Sequence, residues 1–141
     1  MPRLKGSQTE RNLLEAFARE AQNNRRFLYF ARRADVEGHA DVARLFRDVA
    51  EGETGHAFGH LEFLEETGDP MTGTLLSDVA ATLRSAIESE THDQAQLYPS
   101  FAATAREERM VEVADWFELL VRAETAHLSA LTRALELLEG R

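Results

Sequence analysis

The chain has 141 residues, no cysteine, and 16 Lys and Arg against 25 Asp and Glu, for a net charge of −9. That length suits one compact domain with a sizeable core. Disulfides, thiolate metal ligands and a catalytic thiol are excluded, and an acidic chain has little with which to neutralise nucleic-acid phosphates. No apolar leader opens the sequence, and no apolar run approaches the ~20 residues that span a bilayer. The expectation is a cytoplasmic protein that binds neither nucleic acid nor membrane.

In chain order, Ser7 and Glu10 form a capping box that opens a helix running to about Glu37. Gly38 ends it, and a second helix runs from about Ala40 to Glu66. The stretch Thr67-Gly68-Asp69-Pro70-Met71-Thr72-Gly73-Thr74 reads as the linker. A third helix starts near Leu75 or Ser77 and continues to about Glu107, with Pro99 inside it. The fourth covers about Met110 to Glu139. The chain therefore reads as one all-α domain of two hairpins, about 7–66 and 75–139.

The halves look duplicated. With an offset of 71, Phe30 matches Phe101, Ala34 Ala105, Val42 Val113 and Phe46 Phe117, and Glu53-Thr54 and His56 match Glu124-Thr125 and His127. Glu20 matches Glu90 only at an offset of 70, so one extra residue sits between Glu90 and Phe101. A single residue inserted in a helix is usually absorbed as a π-bulge, which is expected beside Pro99.

Each half carries a lone carboxylate about thirty residues before a Glu-x-x-His: Glu20 with Glu53 and His56, then Glu90 with Glu124 and His127. Residues three apart share a helix face, so each Glu/His pair can grip one ion. On every helix the apolar stripe is interrupted at mid-length by these groups. At 1.5 Å per residue, Glu20 lies about 27 Å before the first turn and Glu53 about 21 Å after it, and the second half repeats this. Four carboxylates at one level of a core cost several kcal/mol each unless paired. No Lys or Arg on these stripes serves, so metal ions are the economical partner. One Glu from each of two helices, with Glu-x-x-His from the other two, is the di-metal arrangement of ferritin-like bundles. The bland alternative, surface Glu and His on helices packed some other way, has to explain four coincident interruptions. Carboxylates with two imidazoles and no sulfur suit iron or manganese, with zinc also compatible. Glu53 and Glu124 are the natural bridges. His39 and His92 read as surface residues, His60 as a group at the edge of the core, and Trp116 and the Phe residues as core.

Beyond these residues the sequence resembles the rubrerythrin family, in its diiron domain, over nearly the whole chain. The resemblance rests on Leu4-Lys5-Gly6-Ser7, Thr9-Glu10, Asn12-Leu13 and Ala16-Phe17-Ala18 before Glu20. It continues through Tyr29-Phe30, Glu53-x-x-His56-Ala57, Phe63-Leu64-Glu65, Tyr98-Pro99-Ser100-Phe101 and Ala105-Arg106-Glu107-Glu108. It implies a ferritin-like four-helix bundle and a non-haem site of two iron ions that reduces hydrogen peroxide to water, in defence against oxidative stress. Glu20 and Glu90 would be terminal ligands, Glu53 and Glu124 bridges, and His56 and His127 one to each iron. Tyr98 would offer a hydrogen bond or a proton near the site. Three features depart from the family. These residues include no four-cysteine rubredoxin site, so electrons are expected from a separate rubredoxin-like protein or flavin reductase. Asp93 stands where the family has a further ligand Glu, one methylene longer. Phe27 stands where relatives carry a Tyr. An iron-oxidising, iron-handling or oxygen-sensing ferritin-like protein is the rival reading, and a structural bundle with adventitious zinc a third.

A homodimer with exchanged hairpins is also expected. The second helix, at about 27 residues, is roughly 40 Å long, whereas the linker from Thr67 to Thr74 reaches at most about 29 Å. It returns along the bundle only if the third helix starts later; otherwise two chains complete one another's bundles.

Overall fold

The structure, a computed structural model, describes residues 2–140. It is all-α, with no strand among the described residues, and divides after Pro70 into two helical units. No helix is long and apolar enough to cross a membrane among the described residues.

The first unit is a hairpin of α1 (Gln8–Val36) and α2 (Ala40–Leu64), closed by a short 3-10 turn at Glu65–Thr67. The hydroxyl of Ser7 accepts from the Glu10 N–H at 3.0 Å, so Ser7 caps the helix as expected; the return bond shifts by one residue, with Glu10 Oε1 accepting from the Gly6 N–H at 2.8 Å while the Ser7 N–H donates to Leu4 O. At the other end Gly38 takes a left-handed φ of 83° and the His39 N–H donates to Ala34 O at 2.8 Å. Near this turn the seam is lined with alanine: Ala31, Ala34 and Ala43 are buried. With no bulk beyond Cβ, they let the two backbones approach closely. Phe46 packs over them and meets Phe27 and Phe30.

The second unit pairs α5 (Val111–Glu139) with a long helix of three parts: α3 (Val79–His92), a π-helical turn (Asp93–Leu97) and α4 (Tyr98–Glu107). Its first residue is later than the sequence suggested. Asp78 caps α3 by accepting from the Ala81 N–H at 2.8 Å, so Leu75, Leu76 and Ser77 belong to the connection. That connection runs from Gly68 to Asp78, with an extended reach of about 36–40 Å. The 25 residues of α2 rise about 38 Å. A short linker therefore no longer compels hairpin exchange.

The duplication is written into side-chain detail. Phe27, Phe30 and Phe46 form one aromatic trio; Tyr98, Phe101 and Phe117, each 71 residues on, form the other. Asp35 and Arg47 pair at 2.9 Å across the first turn. At the equivalent positions Arg106 and Glu118 pair at 2.7 Å with their signs reversed. In both cases the hydrogen-bonded carboxylates hold the guanidinium pKa above its ordinary value. The extra residue of the second half lies in the π turn, as the shift of offset required: before it the offset is 70, after it 71.

One equivalence is strained. Arg109 occupies the place of Gly38 and has a φ of +63°, the one positive φ among described non-glycine residues. A side chain in that region costs roughly 1 kcal/mol. Arg109→Gly is expected to stabilise the protein by up to about 1 kcal/mol, because relief of strain outweighs the added freedom of the unfolded chain. Thermal unfolding of the two proteins checks the sign.

A two-helix seam is narrow, and the flanks of each apolar stripe stay outside it. Trp116, expected in the core, is 56% exposed, and Phe63 and Phe101 are also exposed.

Candidate metal centre

Each hairpin gathers one triad. The ligand atoms of Glu20, Glu53 and His56 lie within 4.8 Å of one another, and so do those of Glu90, Glu124 and His127. The local cause is helical geometry. Glu53 and His56 are three residues apart on α2, Glu124 and His127 on α5, and the seam brings α1 or α3 against them. His56 Nδ1 is 3.4 Å from Glu20 Oε2. His127 Nδ1 is 3.8 Å from both Glu90 Oε1 and Glu124 Oε2. The imidazoles are the open side of each triad, with His56 66% and His127 59% exposed, while the Glu124 side chain is only 13% exposed.

The decisive observation is electrostatic. One oxygen each of Glu20, Glu53, Glu90 and Glu124 is buried without a hydrogen-bond partner, and no other described side chain has such an atom. Buried polar groups are almost always satisfied, and an unpaired carboxylate is among the most expensive to leave bare. Four such oxygens, each beside an imidazole that can share an ion, fit divalent metal.

The packing around the triads adds residues that sequence reasoning missed. Asn24, one turn beyond Glu20, donates to Ala50 O at 2.8 Å and to Thr54 Oγ1 at 2.9 Å. Gln94, one turn beyond Glu90, donates to Thr125 Oγ1 at 3.1 Å. These amide hooks tie the helix of each lone Glu to the residue next to Glu53 or Glu124, fixing the height at which the ligands meet. The repeated Thr54 and Thr125 were a visible signal; Gln94 was hidden because Asn24 matches it only at the offset of 70.

Known proteins are similar to this chain over most of its length. The rubrerythrin family model matches residues 11–136. The rubrerythrin of Clostridium perfringens is 35% identical over 99% of this chain and 75% of its own length. That of Porphyromonas gingivalis is 38% identical over 88% of this chain and 64% of its own length. The rubrerythrin of Nitratidesulfovibrio vulgaris is 36% identical, covering 100% of this chain and 76% of that protein. The chain belongs to the rubrerythrin family. Two carboxylate–imidazole triads on an all-α, ferritin-like chain fit the metal binding of this diiron family of oxidoreductases.

Two further candidates of the rubrerythrin pattern are Asp93 and Tyr98. Asp93 is not among the clustered ligands; it starts the π turn and lines a cleft with Met71, Thr72, Glu88, Ser89 and His92. Its backbone is still α-helical, with its N–H bonded to Ser89 O, so it keeps the ordinary three-residue spacing from Glu90 with an arm one methylene shorter than Glu. Asp93→Asn is therefore expected to leave metal content unchanged; loss of an ion on titration of the variant would make Asp93 a ligand. Tyr98 is half-buried and stacks on Phe117, with ring centroids 6.0 Å apart.

Proposed function

We propose that the two triads together hold one dinuclear iron centre, and that the protein is a peroxidase reducing hydrogen peroxide to water with electrons from a separate protein. The observation that carries this reading is the set of four buried carboxylate oxygens without a hydrogen-bond partner, one from each of the four long helices of the hairpins. Glu53 and Glu124 would bridge, Glu20 and Glu90 would cap the outer sides, and His56 and His127 would each bind one ion. Iron, when bound, supplies the two electrons that the O–O bond takes up, and manganese or zinc would fill the same ligands. The overall change is one peroxide, two electrons and two protons to two waters. The Tyr98 phenol is the proton-bearing group we assign to this chemistry, on the resemblance to the family. Tyr98→Phe should slow peroxide turnover about tenfold, the value of one hydrogen bond of about 1.4 kcal/mol, without loss of metal.

Steady-state peroxide consumption by iron-loaded protein with a small chemical reductant tests the activity. Uptake of many irons per chain, with no peroxide turnover, would instead favour the iron-handling rival, which the exposed imidazoles make physically reasonable. The homodimer belongs to the same proposal. Mixing a chain mutated at Glu20 and Glu53 with one mutated at Glu90 and Glu124 restores a complete ligand set only if hairpins are exchanged. No recovered metal would place both hairpins of a site in one chain.

A further inference from the structure

We infer that the outward face of α1 is the docking surface for an acidic electron-carrier protein, an inference that rests on the external-donor reading above. Between Arg19 and Arg33 the sequence places five arginines against one carboxylate, Glu20, in a chain whose net charge is −9. At 100° per residue, Arg25, Arg26, Tyr29, Arg32, Arg33 and Val36 fall on one stripe centred on Tyr29. The seam is on the other side, where Asn24 bonds to α2, Phe27 meets Phe46, and Ala31 and Ala34 are buried. All six stripe residues are exposed, Tyr29 to 65% and Val36 to 79%. Tyr29, Arg32, Arg33 and Val36 outline a shallow depression, with the Arg32 guanidinium 6.0 Å from the Tyr29 ring centre.

An ordinary solvated helix face intersperses cations with carboxylates one turn away. Here the residues four beyond Arg25, Arg26 and Arg32 are Tyr29, Phe30 and Val36. Only Arg33 has such a partner, Glu37 at 2.7 Å. Asp35, three residues beyond Arg32, is bound instead by Arg47 at 2.9 Å. Among the described residues Arg26 meets the Asn23 amide oxygen and the faces of Phe27 and Phe30. No ion pair engages Arg25, Arg26 or Arg32 among the described residues.

The duplicated hairpin provides an internal control. The positions equivalent to Tyr29, Arg32, Arg33 and Val36 are Ser100, Ala103, Thr104 and Glu107. A helical hairpin and a matching triad are built there without the stripe, so neither the hairpin nor the clustering of its triad requires it. Unpaired arginines around an exposed tyrosine and an apolar rim are the residue types that dominate protein interfaces. Their like charges repel until carboxylates arrive. Electron carriers bind through small, transient, electrostatically steered contacts, and complementarity here requires an acidic one. Each docking passes one electron from the reduced carrier, and two dockings supply one peroxide.

Binding of zinc-substituted, redox-silent rubredoxin and of flavodoxin, both acidic forms, to metal-free protein tests this by titration calorimetry at low and high salt. For at least one carrier, Arg25→Glu with Arg32→Glu should weaken binding roughly tenfold or more and flatten its salt dependence. The milder Arg25→Ala with Arg32→Ala should follow in the same direction, and Arg133→Glu on α5 should change affinity less than twofold. No binding of either carrier to the native protein, or equal weakening by Arg133→Glu, would overturn the inference. So would a shift in sedimentation of the stripe variants, which would make the face a contact between copies of this chain, or a loss confined to anionic vesicles. Peroxide turnover with a small chemical reductant should be the same in the stripe variants and the native protein. Failure of that turnover in the native protein would sink the peroxidase reading while leaving the docking result to stand by itself.

Discussion

Replacing Glu53 or Glu124 with Gln is expected to move stability in opposite directions with and without metal. In the metal-free protein each of these residues keeps a buried oxygen with no hydrogen-bond partner. Gln has the same shape and no charge to desolvate, so metal-free protein should gain about 1–3 kcal/mol. In the presence of metal the sign reverses. An ion at a hundredfold excess over its Kd contributes about 2.7 kcal/mol, and removal of a bridging carboxylate forfeits most of that. Thermal unfolding with and without added ferrous or manganous ion reads both signs. Metal analysis should show that Glu53→Ala and Glu124→Ala each lose more than half of the bound ion, whereas His60→Ala and His92→Ala lose none. Equal losses in the two groups, or a metal-free protein weakened by the Gln substitutions, would refute the assignment.

Reduced, iron-loaded protein should be oxidised by hydrogen peroxide at least about tenfold faster than by oxygen, a barrier difference of about 1.4 kcal/mol or more. The expectation follows from the peroxidase reading that the resemblance to the family implies; the carboxylates stabilise the oxidised metal whichever oxidant acts. Stopped-flow absorbance with each oxidant at matched concentration decides the matter. Comparable rates would favour iron handling or oxygen sensing, and absence of any oxidation-dependent absorbance would leave a structural site for zinc.

How much of this is legible in the residues alone depends on the range of the interaction. Glu53 with His56 and Glu124 with His127 are set by helical spacing alone, and the internal repeat places Glu20 and Glu90 opposite them, so both triads can be read from the chain. The Ser7–Glu10 cap is equally local. The π turn at Asp93–Leu97 is legible for a different reason: one surplus residue in a helix that must keep two faces aligned has one inexpensive outlet. Tertiary structure decided what depends on competition between neighbours. Asp78, not Ser77 or Leu75, became the cap of α3 because its side chain reaches the Ala81 N–H, and the connection thus lengthened no longer compels hairpin exchange. Asp93 lines a cleft with His92 and does not join the clustered groups, a matter of reach that spacing alone does not settle. The charge reversal between Asp35–Arg47 and Arg106–Glu118 leaves no trace in a pattern of like residues, since only the pairing across the turn is preserved. Trp116 reads as core by its period, yet a seam between two helices covers too narrow a stripe to bury it. Local spacing thus determined which groups can bind an ion, and packing alone determined which of their neighbours are close enough to matter.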